Sequence, residues 1–220
     1  MYTLIGDLVG SRRLVDRAGA QRRLSEVLAS VNAEVALTQE LEATIGDEFQ
    51  GAAGDLATAV LAGLLVRLRL RPELDARCGY GSGEVTVHDA DRRPLLQDGP
   101  GWWSARAAID ELGRRRSARS WYDAGQAGDV QQAPQAPQVA AGQVNAFLLT
   151  RDALVDRLSD RGRRLLDGAL RGLSQRELAA LEGISEAAVS QQFARGVGAV
   201  RDAHRELAQG LASPTGGARP

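Results

Sequence analysis

Ile45-Gly46-Asp47-Glu48-Phe49-Gln50-Gly51 sets two acids at the tip of a tight turn between two short strand-like runs. Gly46-Asp47 is a turn pair: glycine adopts a positive φ without steric cost, and aspartate bonds its own backbone. The flanks then read as a hairpin, with Glu42 to Ile45 entering and Glu48 to Ala52 returning. Upstream, Tyr2 to Val9 is almost continuously apolar and is interrupted by Gly6-Asp7, the pattern of a buried central strand. Between the two, Leu24, Val27, Leu28, Val31 and Val35 recur at spacings of three and four, which predicts an amphipathic helix from Ala18 to Leu37. Downstream, Gly54-Asp55 caps an Ala- and Leu-rich helix running to Arg69, and Arg77 to Val87 returns to strand.

From Tyr2 to Val87 the order is strand, helix, strand, strand, helix, strand. That order predicts an α+β fold of the ferredoxin-like βαββαβ type, a palm- or cyclase-like sandwich. In such a sheet the first and third strands are neighbours. Asp7, at the end of the first, is then expected to meet Asp47 at the hairpin. Trp102 to Leu112 reads as a further helix and Ser117 to Tyr122 as an edge strand. Trp102, Trp103 and Trp121 are expected to pack on the sheet rather than stack on a base.

Composition removes several chemistries. All 27 basic residues of the 220 are arginine, so neither a phosphate-loop lysine nor a Schiff-base lysine exists. Phosphate must be met by arginine, a metal or backbone N–H groups. Cys78 is the only cysteine and His88 and His204 the only histidines, which excludes an internal disulfide and a Cys/His zinc centre. The longest apolar run, Ala57 to Val66, is about half a membrane span, and no secretory leader is read, so a cytoplasmic protein without membrane contact is expected. Charge is uneven: residues 1–113 hold 12 arginines against 17 acids, and residues 114–220 hold 15 against 11. An acidic front and a basic back fit a sensing or catalytic module joined to a nucleic-acid-binding one.

Asp7, Asp47 and Glu48 are the candidate metal ligands, because oxygen donors at a strand end and a hairpin suit Mg²⁺. Such ions clamp a nucleoside triphosphate. Gly10, Ser11 and Arg12, with Arg13 beside them, are candidates for cradling its phosphates. Arg106 is the candidate ligand on the Trp102 helix, against an ordinary ion pair with Asp110 one turn on.

These segments resemble known families. Gly6-Asp7-Leu8-Val9-Gly10-Ser11 is similar to the first metal-binding segment of class III nucleotide cyclases. Gly46-Asp47-Glu48-Phe49 resembles their second, and the signature of GGDEF diguanylate cyclases, with Ile45 where that signature has its first glycine. Arg77 to Val85 resembles the strand that follows. Gly101-Trp102-Trp103-Ser104-Ala105-Arg106 stands in place of the cyclases' Asn/Arg helix, with Trp102 for the asparagine and Arg106 for the catalytic arginine. A narrower resemblance is to the SatD family of bacterial proteins. It rests on Gly6 to Arg12, Gly46 to Gly51, Asp98-Gly99-Pro100-Gly101 and Ala105-Arg106, and spans roughly residues 1–170. The resemblance to cyclases implies a nucleotide with Mg²⁺, though not adenylate chemistry of the familiar kind, which uses a lysine.

Leu173 to Phe193 reads as a helix-turn-helix. Ser174 and Glu177 form a capping box, Gly183 permits a left-handed turn, Ile184 plugs the angle and Ser185 caps the second helix. It resembles the C-terminal domain of sigma factors. In such motifs the second helix enters the major groove. Ser185, Glu186, Ala187, Ser190 and Gln191 are then expected at base edges, with Gln175, Arg176 and Arg195 on phosphates. Glu182 and Glu186 weaken a single copy, so a homodimer on double-stranded DNA is expected.

The expected layout is an α/β domain over 1–122, a Gln/Ala/Pro-rich linker over 123–143, a helical connector and helix-turn-helix over 144–212, and a disordered tail over 213–220. The expected function is a DNA-binding regulator whose ligand is a nucleotide with Mg²⁺. The alternative is a cyclase-like enzyme acting on a nucleoside triphosphate, with the C-terminal helices as a protein-docking module.

Overall fold

The computed structural model describes residues 1–89, 91–92, 94–115, 117–125 and 141–212. It is an α+β fold around a mixed five-stranded sheet. The chain runs through β1 (Tyr2–Leu8), α1 (Arg17–Asn32), β2 (Gln39–Ala43), β3 (Glu48–Ala53), α2 (Leu56–Leu70) and β4 (Ala76–Ser82), the order read from the sequence. A small hairpin, β5 (Thr86–Asp89) and β6 (Leu96–Asp98), leads to α3 (Pro100–Arg114) and β7 (Ser120–Asp123). The sheet order is β2-β3-β1-β4-β7, antiparallel except for the β4–β7 pair.

Alternation along β1 sorts the two faces. Leu4 and Leu8 join α1 and α2 in the main core with Leu24, Val31, Phe49, Val60 and Tyr80. Ile5 faces the other way, against Trp102, Ala105, Ile109 and Leu112 of α3. The third helix can lie directly on β4 because that strand carries glycine where they meet. A Cβ at Gly79 would stand 2.5 Å from the Ile109 nitrogen, and one at Gly81 would stand 2.3 Å from the Ala105 nitrogen. Trp102 is buried in this second core and Trp103 is exposed, its indole N–H donating to Asp98 at 2.7 Å.

Two boundaries differ from the sequence reading, each for a local reason. The second strand begins at Gln39 rather than Glu42, because the Asn32 side chain clamps both the N–H and the carbonyl of Leu41 at 2.8 and 3.0 Å. The fourth strand stops at Ser82 instead of continuing to Val87. Gly83, at φ 152°, turns the chain against the start of α3, and Thr86–Asp89 pairs with Leu96–Asp98 instead.

The C-terminal half is helical: α4 (Ala141–Arg157), α5 (Asp160–Leu170), α6 (Gln175–Glu182), α7 (Glu186–Gln192), a π-helical turn Phe193–Val197 and α8 (Gly198–Ala212). Asp123 belongs to β7 and residues 141–143 to α4, so the expected linker is shorter at both ends. Its middle, 126–140, and the expected tail, 213–220, lie outside the described residues.

A third core joins Leu64 and Leu68 of α2 to Val155, Leu165, Leu166, Leu178, Val189 and Val200 of the later helices. Beside it, Arg67 donates to Asp75 at 2.8 Å and to Asp156, and stands 3.6 Å from Asp152. Burial opposes the Arg67 charge, and its three carboxylates more than offset that, so its pKa is raised. Arg119 binds Asp75 at 3.0 Å, and its backbone N–H donates to Asp152 at 3.0 Å. Among the described residues, no helix is long and apolar enough to cross a membrane.

Candidate functional site

The site assembles from sheet register. Asp7 stands directly opposite Glu48 on one side and Arg77 on the other, so one row runs Glu48-Asp7-Arg77 across β3, β1 and β4. Directly opposed residues project from the same face, and here it is the face that α3 covers. Both oxygens of Asp7 accept from Arg77, at 2.7 Å each. From above, Arg106 of α3 donates to both oxygens of Glu48, at 2.9 Å each. The pair expected between Arg106 and Asp110 is therefore replaced by one that ties helix to sheet. Each arginine is shifted up, first by its hydrogen bond to the carboxylate it holds: Asp7 for Arg77, Glu48 for Arg106.

Two carboxylates directly opposite each other repel, and antiparallel sheets ordinarily avoid such pairs. This sheet keeps one and balances it with two bidentate arginines. Three of the four were named from sequence. Arg77 was not given a role, although the signal existed: with β4 beside β1, antiparallel counting from Asp7 reaches Arg77.

Asp47 sits in the turn after Gly46, which has φ 69°. With Ser11, Arg17 and Gln21 it lines a cleft of about 200 Å³ on the α1 side of the sheet, which Leu8 also lines and no member of the carboxylate row does. Gly10 is left-handed at φ 72° and opens a short 3₁₀ turn, Ser11–Arg13, that has no side-chain cap. Arg13 folds back over Gly10, while Arg12 is exposed. The start of α1 is less open to a ligand, since the Asp16 carboxylate already accepts from Gly19 N–H at 2.7 Å.

The donor set can be tested against Mg²⁺. Among the described residues no group of three or more His, Cys, Asp or Glu side chains could enclose a metal. Asp7 and Glu48 are two hard oxygen donors in one row. All four of their oxygens are already held by Arg77 and Arg106, so an ion would have to displace those guanidiniums and draw most of its shell from water or phosphate, as Mg²⁺ can. Arg77 and Arg106 then stand where released guanidiniums would meet phosphate.

A family model matches residues 1–193. The chain belongs to the SatD family. That match covers the carboxylate row, α3 and both short helices α6 and α7, so the SatD-type unit includes the helical half up to Phe193. No curated protein matches the chain.

In this SatD-family chain, α6 and α7 are joined by a three-residue turn. Ser174 and Glu177 make the capping box in both directions, Gly183 is left-handed at φ 63°, and Ser185 accepts from Ala188 N–H. Val189 and Leu178 are buried beneath. Arg176, Ser185, Glu186, Ser190, Gln191 and Arg195 are exposed, and Gln175 is half-buried. Glu182 does not stand free: Arg164 of α5 holds both its oxygens at 2.8 and 2.7 Å, and its carboxyl lies below the usual range for that reason.

Proposed function

We propose that the chain is a DNA-binding regulator whose sheet domain takes a nucleoside polyphosphate with Mg²⁺ as its ligand. The ferredoxin-like, cyclase-related reading of the sheet is supported by its β2-β3-β1-β4 order, in which the central first strand carries Asp7. The observation that carries the ligand is the opposed pair Asp7 and Glu48, retained at an electrostatic cost and balanced by two guanidiniums suited to phosphate. When bound, Mg²⁺ supplies a point charge that binds phosphate oxygens. Asp7 and Glu48 would hold the ion, and the protein's own part toward the phosphate chain is to bind it with Arg77 and Arg106.

For DNA, the support is the pair α6 and α7 with its left-handed Gly183 turn. The exposed residues Ser185, Glu186, Ser190 and Gln191 share the second helix of that pair, and Glu182 is withdrawn into an ion pair. In helix-turn-helix proteins it is the second helix of such a pair that enters the major groove, which is the role the proposal gives α7. Two copies on a two-fold site offset the weak affinity of one.

Gel-shift titration at several salt concentrations tests the DNA reading. Arg176→Ala is expected to weaken binding to all sequences and to flatten the salt slope by about one unit. Gln191→Ala is expected to change sequence preference instead. Protein that shifts no DNA even at low salt refutes it. Calorimetry with GTP or ATP and Mg²⁺ tests the ligand, and Asp7→Asn or Glu48→Gln should weaken binding at least tenfold. A second reading, turnover of the nucleotide, is favoured by Arg106 lying against the hairpin acid. Product formed with Mn²⁺ and lost in Asp7→Asn would establish that reading over pure sensing.

A further inference from the structure

A half-open cavity lies away from the carboxylate row, where the start of α2, the end of α5 and the middle of α8 meet. It has a volume of about 550 Å³, within the range of small-molecule sites. Its wall is mainly apolar and includes Leu61, Leu170 and Ala208. Three guanidiniums, those of Arg171, Arg201 and Arg205, also line it, against one carboxylate, Asp55. That carboxylate is already spent: it caps α2, accepting from the Thr58 N–H at 2.8 Å and the Thr58 hydroxyl at 2.7 Å. The arginines are less fully matched. Arg171 reaches Asp167 at 3.1 Å and Glu34 at 3.7 Å, whereas Arg201 and Arg205 share the single carboxylate of Asp202, at 2.7 and 4.0 Å. A mainly apolar chamber with surplus positive charge at its wall is matched by a ligand with an apolar body and an anionic end.

An independent observation concerns His204, which also lines the cavity. Its side chain is packed edge-on to Phe147 and only 6% exposed, and Nε2 has no hydrogen-bond partner among the described residues. A buried polar atom left open in this way costs about 1–3 kcal/mol and calls for an explanation. Open atoms also occur on Tyr80, Trp102, Arg67 and Arg151, and on Gln97 and Arg163, which line other clefts; the His204 ring lines the cavity that carries the three guanidiniums. Nε2 itself is sealed from the cavity, so a ligand there is recognised by the guanidiniums and the apolar wall and not by that nitrogen.

We propose that this cavity is a second ligand site, for a small carboxylate or comparable monoanion with an apolar body of about eight to twelve carbons. The anionic end meets Arg201 and Arg205, and the body lies along Leu61, Leu170 and Ala208. The chamber is built from α2 of the sheet domain and from α5 and α8 of the helical half, so occupancy braces the two halves against each other. It uses neither Asp7, Glu48 nor any residue of α6 and α7, and stands whether or not those sites bind what is proposed for them.

Isothermal titration of the full chain with octanoate, 4-phenylbutyrate, octanol and octyltrimethylammonium tests it. Octanoate or phenylbutyrate is expected to bind saturably at one site. The preferred acid distinguishes an aliphatic from an aromatic source, and either supports the proposal. Octanol and the ammonium are expected to bind roughly tenfold more weakly or not at all, a loss of about 1.4 kcal/mol. Arg201→Glu with Arg205→Glu should abolish anion binding and leave Asp7-dependent nucleotide binding unchanged. Ala208→Trp, which fills the chamber without touching its charges, should abolish it as well and decides the matter if the charge reversals disturb α8. Octanol binding as tightly as octanoate, undiminished octanoate binding in the Ala208→Trp protein, or no saturable binding by either acid overturns the proposal.

Discussion

Acidification from pH 8 to pH 5 is expected to destabilise this protein by about 2 kcal/mol through His204 alone. The imidazole is buried between α4 and α8, and loss of hydration disfavours its charged form most. The nearby Arg151 guanidinium disfavours it further. Together they push its pKa down to about 3, from the ordinary 6.5. The direction of the effect follows from proton uptake. Below pH 6.5 the unfolded chain gains a proton that the folded chain does not, until the pH reaches the folded value. The histidine's contribution is therefore intact above pH 6.5 and is lost progressively down to about 3. Each pH unit in that window costs about 1.4 kcal/mol, so roughly 2 kcal/mol has gone by pH 5 and the ceiling is about 5. Urea titrations at both pH values, on the parent chain and on His204→Leu, measure it. The leucine variant should lose about 2 kcal/mol less on acidification. At pH 8 it should be little changed, since the substitution also removes an unpaired polar atom. His88→Leu, on the exposed hairpin strand β5, is the control. Asp75, held low by Arg67 despite burial, loses its contribution only as pH falls through and below the ordinary carboxylate range, so it does not mimic the effect between pH 8 and pH 5. An identical acid sensitivity in parent and His204→Leu proteins would refute the reasoning.

Three further outcomes rest on packing and charge. Gly63→Ala should destabilise by about 1–3 kcal/mol in chemical denaturation, although alanine favours helices, because the new Cβ would stand 2.3 Å from the Tyr80 hydroxyl and 3.1 Å from Cys78 Sγ. Tyr80→Phe in the same chain should recover much of that loss. Arg67→Met should cost about 1–3 kcal/mol by removing one of the cations on Asp75 and Asp152, which keep Arg119 and Arg151, and a loss below about 1 kcal/mol would show the hub to be dispensable. Ser174→Ala should cost about 1 kcal/mol, seen as faster amide exchange at the first turn of α6 and not in α2.

The front half was legible because its signals are local. Gly6-Asp7, Gly46-Asp47 and the apolar spacing of α1 each state one element, and one topology accommodates them all. The helix pair α6 and α7 was legible for the same reason: capping serines, the returning Glu177 and Gly183 are one-residue signals with one physical reading. What escaped was relational. The hairpin β5–β6 depends on Gly83 meeting the backbone of α3, a contact that strand periodicity does not record. Asp7 was expected to find Asp47, whereas register puts Glu48 opposite it, one residue further along. Arg77 was separable from an ordinary surface arginine only once β4 was beside β1, and the partner of Arg106, Glu48, only once the glycines at 79 and 81 had let α3 down onto the sheet.

The second helix is where sequence reading understated the architecture most. Twelve of its fifteen residues are buried, including Arg67, so its Ala- and Leu-rich composition marks a helix enclosed on nearly all sides and not an amphipathic one. One side completes the core under β1, β3 and β4 through Val60 and Leu65, and the other enters the helical core through Leu64 and Leu68. Its charged end ties Arg67 to Asp156 of α4, and Arg69 to Glu34 beyond α1 and to Asp167 of α5. An acidic front and a basic back suggested two modules joined by a linker. The packing around α2 brings that helix into the core of the helical half, so rotating α5 to α8 as a body requires repacking Leu64 and Leu68. Substitutions at Leu64 or Leu68 should disturb both halves together rather than release one from the other.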